Sequence, residues 1–149
     1  MAKPDSASSA SQADFPLGRK HFTVEEARRA LPLVKRIAAD IQVRQANRVR
    51  LHAQLASEAD DPLAAPSEAR QIERSLDLQT NRLEELIEEL AQVGVELKDP
   101  ARGLVDFPAL FQGREILLCW RPDETTINAW HELDTGYAGR RSLDELKKT

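Results

Sequence analysis

Residues 103–120 read GLVDFPALFQGREILLCW, and this stretch decides the fold class because it ends the helical spacing of the residues before it. Two short apolar runs flank a Gln-Gly pair, and pairs of this kind mark turns between strands. We therefore predict two neighbouring strands, Leu104–Leu110 and Arg114–Trp120. The residues on either side predict a third strand over Thr126–His131 and a further edge strand over Val95–Lys98.

The second of these strands is apolar on both faces. Alternate side chains point to opposite sides of a strand, which puts three residues on one face, Ile116, Leu118 and Trp120. Leu117 and Cys119 share the other face, so we expect a central strand covered on both sides, with helices on one of them. Pro108 cannot donate a ladder hydrogen bond, which predicts that the first strand lies at an edge or a bulge.

The residues before Gly94 have a helical period instead. Apolar positions recur every three or four residues in two runs, which is the spacing of packed antiparallel helices. The first run comprises Val24, Ala27, Leu31, Val34, Ala38 and Ile41, and the second comprises Ile72, Leu76, Leu83, Leu86, Leu90 and Val93. Thr23 and Glu26 match a capping box at the first helix start, and Pro32 predicts a kink or a break two turns later.

The connection between the helices contains the turn signals Asp-Asp-Pro and Ala-Pro-Ser. Ser67 is the predicted N-cap of the second helix, and Gly94 is the predicted residue that ends it. If the turn is centred near Pro62, Gln45 lies opposite Gln79. The two glutamines then either hydrogen-bond to each other and fix the helix register, or both point to water.

Together these patterns predict an α+β fold, a long antiparallel helical hairpin packed on a small antiparallel β-meander of three to four strands. We expect a disordered tail over residues 1–20 and a single domain over residues 21–149. Within the domain, the hairpin covers 22–93, and the β-module with a Gly/Arg-rich loop covers 94–143. Residues 143–149 are predicted to form a short helix or a tail.

Composition restricts the classes of function. The 149 residues include 21 Lys and Arg against 25 Asp and Glu, and the formal net charge of −4 argues against a general nucleic-acid binder. No apolar run is long enough to span a bilayer, and the first residues lack the apolar region of a secretory signal. The single cysteine, Cys119, excludes an intramolecular disulfide and fits a reducing compartment. We predict a cytoplasmic protein that binds neither nucleic acid nor membrane.

Residues 130–143, WHELDTGYAGRRSL, concentrate polar and glycine residues in one loop. Glycines permit turns that aim successive N–H groups at one point, and arginines bind carboxylates or phosphates through paired hydrogen bonds. The hairpin register brings Arg114 close to His131 and Glu132. We predict a candidate site for a small anion formed by Asp106, Arg114, His131, Asp134, Arg140 and Arg141. The alternatives are that these residues form a structural ion-pair network or contact a partner protein.

The two adjacent arginines are expected to play unequal roles, because neighbouring residues in an extended or turning segment point in different directions. One of Arg140 and Arg141 should turn inward to Asp134 or Asp106. The other should lie at the surface, near Arg114 and His131.

The side chains that bind transition metals are also present. Asp106, Cys119, His131, Glu132 and Asp134 have suitable ligand atoms, but no C-x-x-C or H-x-x-x-H spacing groups them. The spacing favours His131 and Asp134 hydrogen-bonded to the loop backbone, and Cys119 as a small buried apolar residue rather than a nucleophile. On sequence alone we therefore predict no metal site, and no cofactor is implied.

Two blocks resemble a known family. FTVEEARRALPLV at residues 22–34 and the longer block from Gly94 to Leu143 are similar to the bacterial family catalogued as domain of unknown function 2203. The specific matches are Gly103-Leu-Val-Asp106-Phe107-Pro108, Gly113-Arg114, Cys119-Trp120, Trp130-His131 and Gly136-Tyr-Ala-Gly139-Arg140-Arg141. Many members carry a second histidine directly before the tryptophan that corresponds to Trp130, where this chain has Ala129. The resemblance implies no activity.

Two functions follow as hypotheses. The first is a non-catalytic module that self-associates through its helices or binds another protein. Exposure of apolar residues off the helix seam would favour it, namely Leu33, Ile37, Leu51 and Leu78. The second is a small-anion or metal-binding protein, either an enzyme or a non-catalytic binder, with its site in the C-terminal His/Asp/Arg corner. An enclosed cleft at that corner would favour the second.

Overall fold

The computed structural model describes residues 20–147, so the tail predicted over residues 1–20 lies, except for Lys20, outside the described residues. The fold is α+β, a helical hairpin with a five-stranded antiparallel sheet. Its longer elements are α1 (Val24–Ala59), α2 (Pro66–Val93), β1 (Glu96–Asp99), β2 (Leu104–Phe111), β3 (Arg114–Trp120) and β4 (Ala129–His131). The chain continues with a 3-10 helix (Tyr137–Gly139), β5 (Arg141–Ser142) and α3 (Asp144–Lys147).

The first helix begins at the predicted capping box and runs for 36 residues. The Thr23 side chain accepts from the Glu26 N–H, and the Glu26 carboxylate accepts from the Thr23 N–H, each at 3.0 Å. Of the kink or break predicted at Pro32, the break is wrong, because the helix continues through this residue. Pro32 lies on the exposed face, where water can satisfy the carbonyl that loses its donor and slight curvature can relieve the ring.

Polar side chains connect the two helices towards the turn, in a different pairing from the predicted one. The side-chain oxygen of Gln79 accepts hydrogen bonds from the Arg44 guanidinium at 3.2 Å and from the Asn47 side-chain amide at 3.3 Å. Gln45 instead accepts from Arg48 on its own helix, so the prediction of a Gln45–Gln79 pair is wrong. A guanidinium is longer than an amide and carries more donors, and it therefore reaches Gln79 from a neighbouring position on α1.

The prediction for the start of α2 is wrong, and the prediction for its end is confirmed. Its N-cap is Ala65 with no side-chain hydrogen bond, and Pro66 opens the helix, so the prediction of Ser67 as the cap is wrong. Proline is suited to this position because its fixed φ already matches the helix and it has no N–H to leave unpaired. Gly94 ends the helix at φ 100° as predicted.

The five strands follow one another in the order β1-β2-β3-β4-β5, one more than the upper end of the prediction. The additional strand, β5, pairs with β4 through Ala129–Ser142 and Trp130–Arg141.

Strand β4 begins three residues later than predicted. The Arg28 guanidinium binds the Ile127 carbonyl through Nε at 3.2 Å and Nη2 at 2.8 Å, which ties this residue to the first helix instead.

Strand β2 lies between β1 and β3, so the prediction of an edge or a bulge for Pro108 is wrong for the strand as a whole. Locally, β1 pairs only with Leu104, Val105 and Asp106, and Pro108 therefore has no β1 neighbour that would need its N–H. Its carbonyl accepts from the Phe22 N–H at 2.7 Å. That bond connects the chain just before α1 to the sheet.

The two faces of the sheet have different surroundings. On one face, strand residues join residues of both helices in the main core, namely Val105, Phe107, Ala109, Ile116, Leu118, Trp120 and Trp130. The predicted burial of both faces of β3 is confirmed, since its residues from Glu115 to Trp120 are all buried. The opposite face carries Leu117 and Cys119, and the loop after β4 covers it. No helix within residues 20–147 has the length and apolar character to cross a membrane.

Candidate metal centre

Three neighbouring strands bring three buried ligand-type side chains together on the face away from the helices. Asp106 of β2 lies directly opposite Cys119 of β3. His131 of β4 lies opposite Leu117, two residues along the same face from Cys119. One ligand atom from each side chain lies within 4.8 Å of the others. The strand register therefore creates a cluster of carboxylate, thiol and imidazole.

The imidazole of His131 is fixed by two contacts. Its Nδ1 lies 2.8 Å from the Glu132 carbonyl oxygen, and its Nε2 lies 3.2 Å from Oδ2 of Asp106. A carbonyl can only accept, so Nδ1 carries a hydrogen and donates it. In the neutral ring, the Nε2 lone pair then faces a carboxylate oxygen. Two acceptors in this position need a cation between them, either a proton or a metal ion.

Burial affects the acidity of the carboxyl group. Burial raises the pKa of Asp106 above its ordinary value, and the neighbouring imidazole of His131 offsets this only in part. The raised pKa of Asp106 favours a proton between its carboxyl group and the facing Nε2 in the metal-free protein. The same position is available to a metal cation that replaces that proton.

Arg140 holds the thiol of Cys119. Its Nε donates to the Cys119 sulfur at 2.8 Å, while its Nη2 donates to both oxygens of Glu124, at 2.8 and 2.6 Å. Burial raises the pKa of the Cys119 thiol, against the opposing effect of this guanidinium. Burial alone would lower the pKa of Arg140, but its bonds to Glu124 and Cys119 outweigh that effect and raise it.

Glu124 is itself held by the turn after β3. Its carboxylate accepts from the Arg121 N–H at 3.1 Å, and its backbone carbonyl accepts from the Trp120 indole at 2.9 Å. The Arg140 guanidinium also lies over the Tyr137 ring, 4.9 Å from its centre. The guanidinium beside the thiol is thus fixed on three sides.

A cavity of about 150 Å³ adjoins the cluster, and Asp106, Cys119 and His131 all line it. Lys98 and Tyr137 contribute the polar part of the remaining wall. A larger cavity, of about 660 Å³, lies between the start of α1, the sheet and the C-terminal residues. Although larger, it contains no trio of metal-ligating groups among residues 20–147, so we take the smaller cavity as the candidate site.

Of the six predicted site residues, the structure brings three together. Asp106 and His131 are in direct contact, and Arg140 joins them through Cys119. The predicted backbone hydrogen bond of His131 is also present, to Glu132.

The other three predicted residues lie elsewhere. Arg114 pairs with Glu132 and Arg141 with Glu145, and both guanidiniums lie over the Trp130 ring, at 5.8 and 5.2 Å. Strand alternation puts Arg114 on the opposite face from Cys119. Asp134 is exposed in the loop. These residues therefore contribute nothing to the cluster.

Sequence reasoning missed two residues that complete this arrangement. Cys119 has a suitable ligand atom, but the sequence favours a buried apolar role for it, although an acid, Asp106, in an otherwise apolar strand is a signal that the same face holds polar partners. Glu124 gave no signal, because an acidic residue in an Arg-Pro-Asp-Glu turn is an ordinary solvent-exposed residue. Its role depends on Arg140, 16 positions later in the chain.

The donor set is suited to a transition metal. Thiolate, imidazole and carboxylate are the ligand types of zinc and related divalent metals, and three protein ligands leave one position open. Nucleophilic catalysis by Cys119 is not supported, because both nitrogens of His131 are engaged by Glu132 and Asp106. A cysteine nucleophile needs a base beside the thiol.

Comparison with known proteins identifies the family. No curated protein and no solved structure matches the chain significantly. A family described as "Uncharacterized conserved protein (DUF2203)" matches residues 20–143, which include α1, α2 and all five strands. The chain therefore belongs to the DUF2203 family.

Proposed function

We propose that this protein binds a divalent transition metal of the zinc class through Asp106, Cys119 and His131. One observation carries the proposal. The Nδ1–H of His131 is committed to the Glu132 carbonyl, so its Nε2 lone pair points at the Asp106 carboxylate, with the Cys119 sulfur within 4.8 Å. Metal-binding histidines are commonly oriented by such a hydrogen bond from the other ring nitrogen.

The chemistry of the three ligands restricts the metal. A sulfur ligand favours zinc, cobalt or iron over magnesium and calcium, which take oxygen ligands. The charges of an ionised Asp106 and Cys119 balance those of a divalent ion, and the charge of Arg140 is balanced by Glu124. A metal-binding thiol must stay reduced, and we infer a cytoplasmic location on that ground.

Metal titration of the full chain tests the proposal. After treatment with a chelator, the protein should bind about one equivalent of Zn²⁺ or Co²⁺, and the Co²⁺ form should show a sulfur-to-metal charge-transfer band. Cys119→Ser should abolish that band, and Asp106→Asn should weaken binding.

The matched control is His52→Gln, which removes an exposed histidine of α1 far along the chain from the site. This variant should bind like the unchanged protein. If Co²⁺ binds without a sulfur band, or if Cys119→Ser binds equally well, the proposed site is wrong.

A second candidate function is self-association through the helical hairpin. Leu33 and Leu78 remain 44% and 69% exposed, and Val43 and Val49 of α1 are also exposed. Ile37 and Leu51, which we had grouped with them, are buried within the chain, so the support comes from fewer residues than expected. Pairing two hairpins as a coiled-coil-like four-helix homodimer would cover the exposed leucines.

Light scattering on the full chain tests this second candidate. We expect a dimer mass at tens of micromolar protein, and a monomer mass for the variant in which Leu33 and Leu78 are both changed to Glu. A substitution of Leu63 to Glu is the control, since this residue is 91% exposed in the turn between the helices. A monomer at all concentrations would remove self-association from consideration.

A further inference from the structure

The three ligand residues do not close the coordination sphere of a tetrahedral metal. They line a cavity of about 150 Å³, so open space adjoins the three ligand residues. Structural zinc sites have four protein ligands, whereas three ligands and an open position are typical of sites that take an exogenous ligand. We propose that this open position accepts a short-chain monocarboxylate, an inference that rests on the proposed metal site.

The size of the cavity limits the ligand. Pockets for drug-sized molecules measure about 300–1,000 Å³. The volume of this cavity, about 150 Å³, is half of that lower limit. A nucleotide or a sugar phosphate does not fit in such a volume. A ligand of a few heavy atoms does.

The polar wall of the cavity favours one negative charge. Lys98 lines the cavity, and its ammonium group is partly exposed and only 3.0 Å from Glu96 at the surface. The Tyr137 oxygen accepts a hydrogen bond from Arg121, which leaves its own hydrogen available for a ligand oxygen. A divalent metal balanced by Asp106 and Cys119 has no net charge. Lys98, although paired with Glu96, is the cationic residue that lines the cavity, and we assign it the attraction for an incoming anion.

The rest of the wall is apolar. Leu104, Leu117 and Leu133 line the cavity together with the ligand residues. These side chains suit the methyl or methylene groups of a short carboxylic acid and leave a multiply charged oxyanion without enough donors. Acetate and propionate therefore fit the wall better than phosphate does.

The test uses the Co²⁺-loaded full chain, whose visible absorption reports the ligands of the metal. Titration with acetate and with propionate should produce a saturable spectral change, while neutral acetamide, with nearly the same shape as acetate, should produce none. Phosphate should bind more weakly than either acid. Lys98→Met should weaken acetate binding about fivefold, the effect of one partly exposed charge pair.

Lys35→Met is the matched control, because Lys35 belongs to α1 and lies near Trp120 on the helix side of the sheet. It should leave acetate binding unchanged. If Co²⁺ binds with its sulfur band but no carboxylate alters the spectrum, the carboxylate proposal is wrong and the metal site stands. Stronger binding of phosphate, or equal binding of acetamide, would also overturn it. If Co²⁺ does not bind at all, both proposals fail.

Discussion

At the scale of single residues, Arg140 and Arg141 show how adjacent arginines can have unrelated environments. Arg140 is 17% exposed and is held by Glu124 and Cys119. Arg141 is 52% exposed and pairs with Glu145 one turn away. The expected division into an inward and an outward residue is found, but the inward partner is Glu124 rather than Asp106 or Asp134. The outward residue lies over the Trp130 ring, as Arg114 does.

This difference predicts unequal losses of stability. Arg140→Ala removes the two guanidinium hydrogen bonds of Glu124, which is 15% exposed and keeps only the weaker contacts with Arg121. We expect a loss of about 2 kcal/mol, below the 3–5 kcal/mol typical of a fully buried pair. Arg141→Ala removes an exposed ion pair and the contact of the guanidinium with the Trp130 ring, and it should cost less, about 0.5–1 kcal/mol. Urea denaturation of both variants measures the two losses.

The double variant with Glu124→Gln provides the control for Arg140→Ala. Because the stranded charge is removed along with its partner, part of the lost stability should return. Equal and small losses for the two single arginine variants would mean that the Arg140–Glu124 pair does not stabilise the fold.

At the scale of elements, Pro32 is the residue where an expected boundary is absent. Its missing N–H removes the hydrogen bond to the Arg28 carbonyl inside a continuous 36-residue helix. Burial of Leu31 and Val34 on either side holds the helix together across this point. Tertiary packing therefore outweighs the local preference of proline.

Pro32→Ala should stabilise the protein, because it restores that hydrogen bond at an exposed position. We expect a gain of about 1–2 kcal/mol, less than the 3 kcal/mol difference in helix propensity because proline also restricts the unfolded chain. Thermal unfolding measures the gain, and Arg36→Ala is the neighbouring control at an exposed site of the same helix. No gain, or a loss, would show that α1 is already adapted to the proline.

The elements also show what can be predicted from the sequence. Strand β3 has its predicted bounds, because its apolar run lies between strong turn signals, and α1 and Gly94 follow from local capping chemistry. Strand β5 was missed because two residues carry no periodic pattern and their strand state depends on pairing with β4. The three-residue cluster depends on how β2, β3 and β4 align side by side, and the spacing of Asp106, Cys119 and His131 along the chain does not contain that alignment.

At the scale of the whole molecule, the metal would join three strands that are consecutive in the sheet. Binding to the folded chain alone stabilises it in proportion to the logarithm of the metal concentration. With free Zn²⁺ at about a thousand times its dissociation constant, we expect a gain near 4 kcal/mol over the chelator-treated protein. Calorimetric melts with and without Zn²⁺ measure the gain, which should be far smaller in Cys119→Ser.

The same binding should strengthen as the pH rises. A metal takes the place of the protons on its thiol and carboxyl ligands, and burial raises the pKa of the Cys119 thiol, so the metal-free protein holds this proton at neutral pH. Competition titrations at pH 6, 7 and 8 should show Zn²⁺ affinity rising by up to about tenfold per pH unit for each proton released. An affinity that falls or stays constant over this range would argue against thiolate ligation.

The alternation of side chains along β3 makes metal binding at the proposed site depend on the register of this strand. A slip of one residue in the pairing of β3 would turn Leu118 and Trp120 to the face of the centre and Cys119 into the helix-covered core. Such a chain would still hold a sheet of the same outline, but it would have lost the sulfur ligand. Only the correct alignment places all three proposed ligands on one face, so metal binding would shift the folding equilibrium towards correctly paired chains.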